Sequence, residues 1–323
     1  MLTVKKLRRK PVHFQNFTGL TPEAFDQLLS ALQPVYQRRE FERKNRPGRL
    51  RAVGAGPHFR LDLPERLLMT LLYLRLYLTQ PLLGYLFGLD DSNVSREINH
   101  RMLPALMDVL PMPARMELGL VPQEKQQNGR ETPRKRISSL AELLALHPEF
   151  MELFIDTTEQ QVPRPQQKQA RRMRYSGKKK RHTLKTQLVT TDRLVLHVSG
   201  SVPGRVNDHL LLRFTGVLHQ MPEEVTVRLD RAYDGIEREY PKVHIEKAKK
   251  GGRGRVLTLF DQLMARSLNR LRVKIEHVIG RLKKYKLLAG VYRGRPERYD
   301  DYFAVIGGLH NFRQLGRLRW QAM

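Results

Sequence analysis

Cysteine is absent from the 323 residues, which excludes disulfides and thiolate metal sites and fits a reducing compartment. Acidic residues are scarce beside basic ones: 32 Asp and Glu face 59 Lys and Arg, for a formal charge of +27. An excess of that size calls for a polyanionic partner, because neutralising phosphates releases condensed counterions. Long apolar runs are also missing. The longest, Leu67 to Leu78, is broken by Arg75 and falls short of the ~20 residues a membrane helix needs. The basic stretch Met1–Phe14 is followed by no apolar segment, so a secretory signal is not expected. Nucleic acid therefore fits better than an acidic membrane surface. The length favours about two domains with ample chain for a core.

In the first half the expected elements are helical. Thr21-Pro22-Glu23 reads as an N-cap, an N1 proline and an acidic first turn, opening a helix with an expected bend at Pro34. A Gly/Pro-rich basic loop over 45–63 precedes a helix from about Pro64. Next come TQPLLGYLF, a tight GLD turn, and DSNVSREINHRMLPALMDVL, whose start Asp90 or Asp91 caps. Two helices joined by a Gly-containing turn predict a helix-turn-helix, with Ser92, Asn93, Ser95 and Arg96 reaching base edges and His100 and Arg101 further along. Val94 and Ile98 keep the buried stripe; an ordinary helical bundle, or a dimerisation role, is the competing reading. Residues 111–137 carry prolines without periodicity and read as a connection, followed by a short helix through LAELLAL capped by Ser138 or Ser139.

The second half turns to β-rich runs. FMELFID reads as a strand ending at Asp156, and RHTLKTQLVTT and RLVLHVSGSV as a hairpin about Thr191-Asp192. Asn207-Asp208 caps a helix; EVTVRLD and KVHIEKAK are further strands, and a long helix runs from about Leu257 to Leu288. Three strands, helix, two strands and helix predict an α/β, ribonuclease-H-like layer, which places Asp156 and Asp230 at adjacent strand ends.

Three acids stand out against the cationic background: Asp156, Asp230, and Glu276 on a helix flanked by Arg272, Lys274, Arg281 and Lys283. Phosphodiester hydrolysis and transfer need an activated oxygen nucleophile and a stabilised leaving oxygen, which two Mg²⁺ ions roughly 3.5–4 Å apart supply. Mg²⁺ prefers oxygen ligands and is held by few carboxylates. Each acid also has a plainer reading. Asp156 fits a strand-end turn, Asp208 a helix N-cap, Glu159 a solvated or Lys-paired side chain, and Glu276 an ion pair with Arg272 one turn away. The run from Arg164 to Lys185 holds ten Lys or Arg and no acid. Lying between two expected strands, it would border the acids and meet phosphates through Lys178, Lys179, Lys180 and Arg181, with Tyr175 able to stack on a base. SGKKK at 176–180 and GGRGR at 251–255 lack the Lys-Ser/Thr of a P-loop. His310-Asn-Phe-Arg313 mimics the HxxR box of tyrosine recombinases, but no tyrosine follows Tyr302 to serve as nucleophile.

Over nearly its whole length the chain resembles bacterial DDE-type transposases of the insertion-sequence-five kind. The blocks that carry the likeness are IDTTEQQVPRP, YSGKKKRHTLKTQLV, VPGRVNDHLLL, LDRAYDG and NRLRVKIEHVIGRLKKYKLL. The resemblance puts the family's two aspartates on Asp156 and Asp230 and its glutamate on Glu276, with Arg272 and Lys283 as the accompanying catalytic cations. Asn269 stands where some relatives have tyrosine, and Arg231-Ala232 where small or glycine-containing pairs are usual. It implies a helical DNA-binding region over 1–110, a connection over 111–150 and a DDE catalytic domain over 151–323. It further implies two Mg²⁺ per active site, replaceable by Mn²⁺, and double-stranded DNA (transposon ends and target) as the substrate. A homodimer or higher oligomer on DNA and a cytoplasmic, nucleoid-associated location would follow. The expected activity is end binding, strand cleavage and 3′-OH strand transfer. A metal-dependent nuclease and a domesticated, transposase-derived DNA-binding protein are the alternatives.

Overall fold

A computed structural model describes residues 1–45, 48, 59–116, 151–248 and 258–317, which form two compact units. Of the described residues, the first takes those within Met1–Leu110 and Lys284–Leu287 together with 315–317, and the second those within Pro111–Lys283 and Leu288–Gln314. The short helix expected through LAELLAL and the GGRGR loop lie outside the described residues.

The first unit is all helical: α1 Val4–Arg8, α2 Pro11–Thr18, α3 Pro22–Lys44, α4 Leu63–Leu76, α5 Gln80–Phe87, α6 Asp91–Glu97 and α7 Leu103–Val109. Thr21 caps α3 by accepting from Ala24 N at 3.2 Å, as its sequence predicts. The helix is unbroken from Pro22 to Lys44 although Pro34 removes one hydrogen-bond donor. Phe14, Phe25, Leu28, Leu32, Leu67, Leu71, Val94 and Ile98 are fully buried. Each contributes roughly 1.5–3 kcal/mol relative to exposure.

The second unit is built on one sheet. Its strands are β1 Ala114–Met116, β2 Glu152–Gln161, β3 Tyr175–Ser176, β4 Arg181–Thr190, β5 Val195–Ser199, β6 Val202–Pro203, β7 Thr226–Arg228 and β8 His244–Glu246. Their main order is β1-β5-β4-β2-β7-β8, with β3 and β6 pairing β4 off this path. β4 is antiparallel to β2 and β5, whereas β7 is parallel to β2 and β8 parallel to β7. Three antiparallel strands continued by two parallel ones beside the first is the ribonuclease-H-like arrangement. The helices are α8 Lys168–Arg174, α9 Asp208–Thr215, α10 Leu259–Leu282 and α11 Tyr299–Arg317.

Three local readings need correction. The strand expected to end at Asp156 continues to Gln161, because Thr157–Gln161 pair with Thr183–Gln187 of β4. Ala114–Met116, within the expected connection, adds a parallel edge strand against His197–Ser199. The long helix stops at Leu282 rather than Leu288, and Lys286–Leu288 form a separate 3₁₀ turn.

His310 and Asn311, the core of the HxxR mimic, are structural. Asn311 accepts from Val195 N at 2.8 Å and donates to Val195 O at 2.7 Å and Pro111 O at 3.1 Å. His310 Nε2 lies 2.7 Å from Arg193 O, and burial lowers its pKa to about 4. Together they clamp α11 onto the β4–β5 edge.

Candidate active site

Parallel pairing brings the two aspartates into line. Glu152, Leu153 and Phe154 pair with Thr226, Val227 and Arg228, each 74 positions later, and Asp156 and Asp230 keep that offset two residues beyond the last pair. Side chains alternate along strands, so Asp156 shares a face with Phe154, as Asp230 does with Arg228 if the strand direction continues. Asp156 Oδ1 accepts from Thr157 N at 2.7 Å. Burial pushes the Asp156 carboxyl up; Thr157 N and then Arg272 oppose the shift, while Asp230 and Asp208 add to it.

α10 supplies the third acid and its cations. Thr258 and Asp261 form a reciprocal capping box at its start, with bonds of 3.1 and 3.2 Å. Ile275, Val278 and Leu282 bury one face, and the helix is tied to the sheet by charge. Lys274 Nζ lies 3.7 Å from Glu152 and 5.7 Å from the Phe154 ring centre. Glu152 in turn pairs with Arg228 at 2.8 Å. From this frame Arg272 places Nη1 3.0 Å from Asp230 and Nη2 3.9 Å from Glu276. Glu276 itself is exposed, with 59% of its side chain accessible. Asn269 lines the same crevice as Asp230 and Arg272. Lys283 caps α10 and is partly buried; burial lowers its pKa, Lys179 adds to that, and Glu159 and Asp156 oppose it. Asp156, Asp230, Arg272, Glu276 and Lys283 thus converge on one side of the sheet.

Several participating residues were not singled out by sequence. Lys185, buried in β4, lies 2.6 Å from Asp208 and 4.0 Å from Glu159, and donates to Val206 O at 2.6 Å. Glu159 also accepts from Thr183 Oγ1 at 2.7 Å, so it is Lys-paired rather than solvated. Asp208 is not the cap of α9. Asn207 is, accepting from His209 N at 2.8 Å, which leaves Asp208 free to hold Lys185. Tyr233, in the 3₁₀ turn after Asp230, is buried, and its hydroxyl has no hydrogen-bond partner among the described residues. Burial raises its pKa well above the ordinary range, and Asp208, Asp156 and Asp230 add to the shift.

Among the described residues no three His, Cys, Asp or Glu side chains are gathered tightly enough to hold a metal ion. The donor set still suits a hard divalent cation. Two carboxylates share one register, and half-buried Asp156 accepts a single hydrogen bond, from Thr157, among the described residues. The cationic charge between Asp230 and Glu276 is the guanidinium of Arg272. The buried Tyr233 hydroxyl adds a polar atom that pairs with none of the described residues.

Arg164, Lys168, Arg171, Arg172 and Arg205 surround a concave cavity of about 770 Å³ that also includes Tyr175 and His182. No acid lines it. The partly exposed Tyr175 ring meets His182 edge-on at 5.6 Å. Lys178, Lys179, Lys180 and Arg181 are exposed on the adjoining turn, where Lys180 takes a left-handed φ of 54°. Of these four, Lys179 is within electrostatic reach of Lys283.

In the first unit, α5 and α6 meet at a tight turn. A Cβ on Gly84 would sit 2.4 Å from Leu89 O, and Gly88 adopts φ 68°, so both positions favour glycine. Ser92, Asn93 and Arg96 are exposed on α6 and Ser95 is half-buried, opposite buried Val94. Arg96 donates to Asn93 Oδ1 at 3.0 Å. Buried Glu97 anchors the helix through Arg101 at 2.6 Å, Tyr36 at 3.0 Å and Arg66 at 3.5 Å.

Residues 155–311 match the family model described as DDE superfamily endonuclease, and residues 59–111 match that described as helix-turn-helix of DDE superfamily endonuclease. The probable transposase for insertion sequence element IS702 of Microchaete diplosiphon is 28% identical over 302 residues, covering 93% of each chain. A pre-cleavage Mos1 transpososome aligns over 80% of this chain and 82% of that one at 13% identity, with a TM-score of 0.19. A Mos1 strand transfer complex aligns over 80% and 81% at 14% identity, with a TM-score of 0.20. Scores this low relate neither fold to this one in detail.

Proposed function

We propose that the chain, which matches the DDE superfamily endonuclease over 155–311 and the helix-turn-helix of that superfamily over 59–111, is a DNA transposase cutting and joining strands at Asp156, Asp230 and Glu276. The observation that carries the reading is the shared register of Asp156 and Asp230, with Arg272 of α10 joining Asp230 to Glu276. Divalent-metal dependence goes with the superfamily; we assign Mg²⁺, two ions per site, which Asp156, Asp230 and Glu276 would hold. Such ions supply an activated attacking oxygen and a stabilised leaving oxygen.

The chain's own residues then have separable tasks. Arg272 and Lys283 neutralise substrate phosphates beside the acids, and the guanidinium can grip one bidentately. The Arg164–Arg205 cavity and the Lys178–Arg181 turn track the DNA backbone, while Tyr175 offers a stacking face. Ser92, Asn93, Ser95 and Arg96 read base edges in the element's terminal inverted repeats. The partner is double-stranded DNA, bound by two or more copies of the chain.

Replacing Asp156, Asp230 or Glu276 singly with Ala should slow cleavage of a pre-nicked end substrate at least a thousandfold, about 4 kcal/mol of barrier, with end binding retained. A near-wild-type rate removes that residue from the triad.

A further inference from the structure

The Tyr233 hydroxyl is buried without a hydrogen-bond partner among the described residues, a costly position that a fold rarely keeps without use. Its place is fixed from two sides. Tyr233 N donates to Asp230 O at 3.1 Å, so the ring follows directly from the strand that carries Asp230. The His209 ring stacks on it, with centroids 6.5 Å apart and planes at 26°, beside Asp208 at the start of α9. Three carboxylates, Asp208, Asp156 and Asp230, act on the phenol through space.

Two of these already hold cations. Asp208 has Lys185 at 2.6 Å, and Asp230 has Arg272 at 3.0 Å. Asp156 accepts one hydrogen bond, on Oδ1 from Thr157, and none of the described residues donates to Oδ2. We propose that Tyr233 is a positioning residue for the metal site: when a divalent cation draws Asp156 into coordination, the phenol donates to the carboxylate and fixes its orientation. The inference rests on Asp156 being a metal ligand, as proposed above. A ligating carboxylate must aim one lone pair at the ion, and a donor on its remaining lone pairs selects that rotamer. Coordination of Asp156 would then give the Tyr233 hydroxyl the acceptor that the described residues do not.

The test compares Tyr233→Phe with the unaltered full-length protein by Mn²⁺ titration, read as the metal-induced rise in Tm without DNA. An unpaired buried hydroxyl stabilises nothing, so metal-free Tyr233→Phe should melt at the same temperature or higher. Its Mn²⁺ midpoint should rise about 10–100-fold. An unchanged midpoint, or a metal-free Tm lowered by several degrees, overturns the proposal; the second outcome would mean the hydroxyl has a structural partner. Asp156→Ala separates the two levels of inference. If it abolishes the Mn²⁺ response while Tyr233→Phe does not alter it, the metal site stands and the role of Tyr233 falls. If Asp156→Ala responds as the unaltered protein does, both fall.

Discussion

Arg272 Nη1 lies 3.0 Å from Asp230 Oδ1, so the helix that carries the third acid reaches the sheet through a cation rather than through that acid. Glu276, one turn further along, meets the same guanidinium at 3.9 Å. Arg272 therefore keeps α10 in place and neutralises charge where phosphate and metal would compete for the same carboxylates. Arg272→Lys preserves the charge and loses the fork, so the substitution is not conservative here. We expect Arg272→Lys and Lys283→Ala to reduce cleavage and strand transfer about tenfold or more while end binding changes less than threefold. Parallel cleavage and gel-shift assays decide it, and equal losses in both would make these residues simple DNA-binding groups.

Base reading and backbone tracking should separate by salt. Arg96→Ala is expected to weaken binding to cognate ends by roughly 1–3 kcal/mol and to random DNA far less. Neutralising Lys178, Lys179, Lys180 and Arg181 together should weaken both DNAs and flatten the salt slope by about one for each phosphate that is no longer neutralised. If Arg96→Ala weakens both DNAs equally, α6 is not the reader.

Glu97 makes a separate stability prediction. Its side chain is buried against Arg66, Arg101 and Tyr36, and removing it leaves Arg66 buried without its carboxylate. Glu97→Ala should destabilise the helical unit by roughly 3–5 kcal/mol. Urea unfolding followed by circular dichroism measures this; a loss below about 1 kcal/mol would mean water replaces the carboxylate.

Two histidines should make the second unit acid-sensitive. Burial lowers both His197 and His310 to about 4, below the value of about 6.5 expected in the unfolded chain. The unfolded state binds their protons first, so their contribution is complete above pH 6.5 and is lost as pH falls towards 4. The combined loss is of the order of several kcal/mol. Replacing His310 with Gln, which can still donate to Arg193 O, should remove about half of the pH dependence between 6.5 and 4. An unchanged pH profile would place the acid sensitivity elsewhere.

Local chemistry made much of this molecule legible. Thr21-Pro22 opens α3, Asn207 caps α9, and the apolar rhythm around Val94 and Ile98 sets the buried side of the reading helix. The strand order followed from the succession of elements. Beyond that, sequence fails where partners are distant. Thr157–Gln161 have no apolar alternation, so only pairing with β4 extends β2 past Asp156. Lys185 resembles a solvent-facing lysine until Glu159 and Asp208, from another strand and a helix, are folded around it. The N-terminal helices α1 and α2 and the C-terminal α11 were not anticipated, and in α11 Gly307 and Gly308 interrupt an otherwise apolar pattern. Tyr233 has no local signal, because an unpaired hydroxyl is visible only once its surroundings are known.

The amide of Asn311 reaches back 116 residues to Val195 and 200 residues to Pro111. A ribosome makes those two segments long before it makes their clamp. Throughout that interval the β5 edge lacks the side chain that later occupies its Val195 N–H and C=O. The DNA-cutting half of the protein thus finishes assembly only when almost all of its chain has been synthesised. A nascent chain stalled before residue 311 could display Asp156 of β2 and Asp230 just past β7, yet the sheet that aligns them would still be without its last fastening.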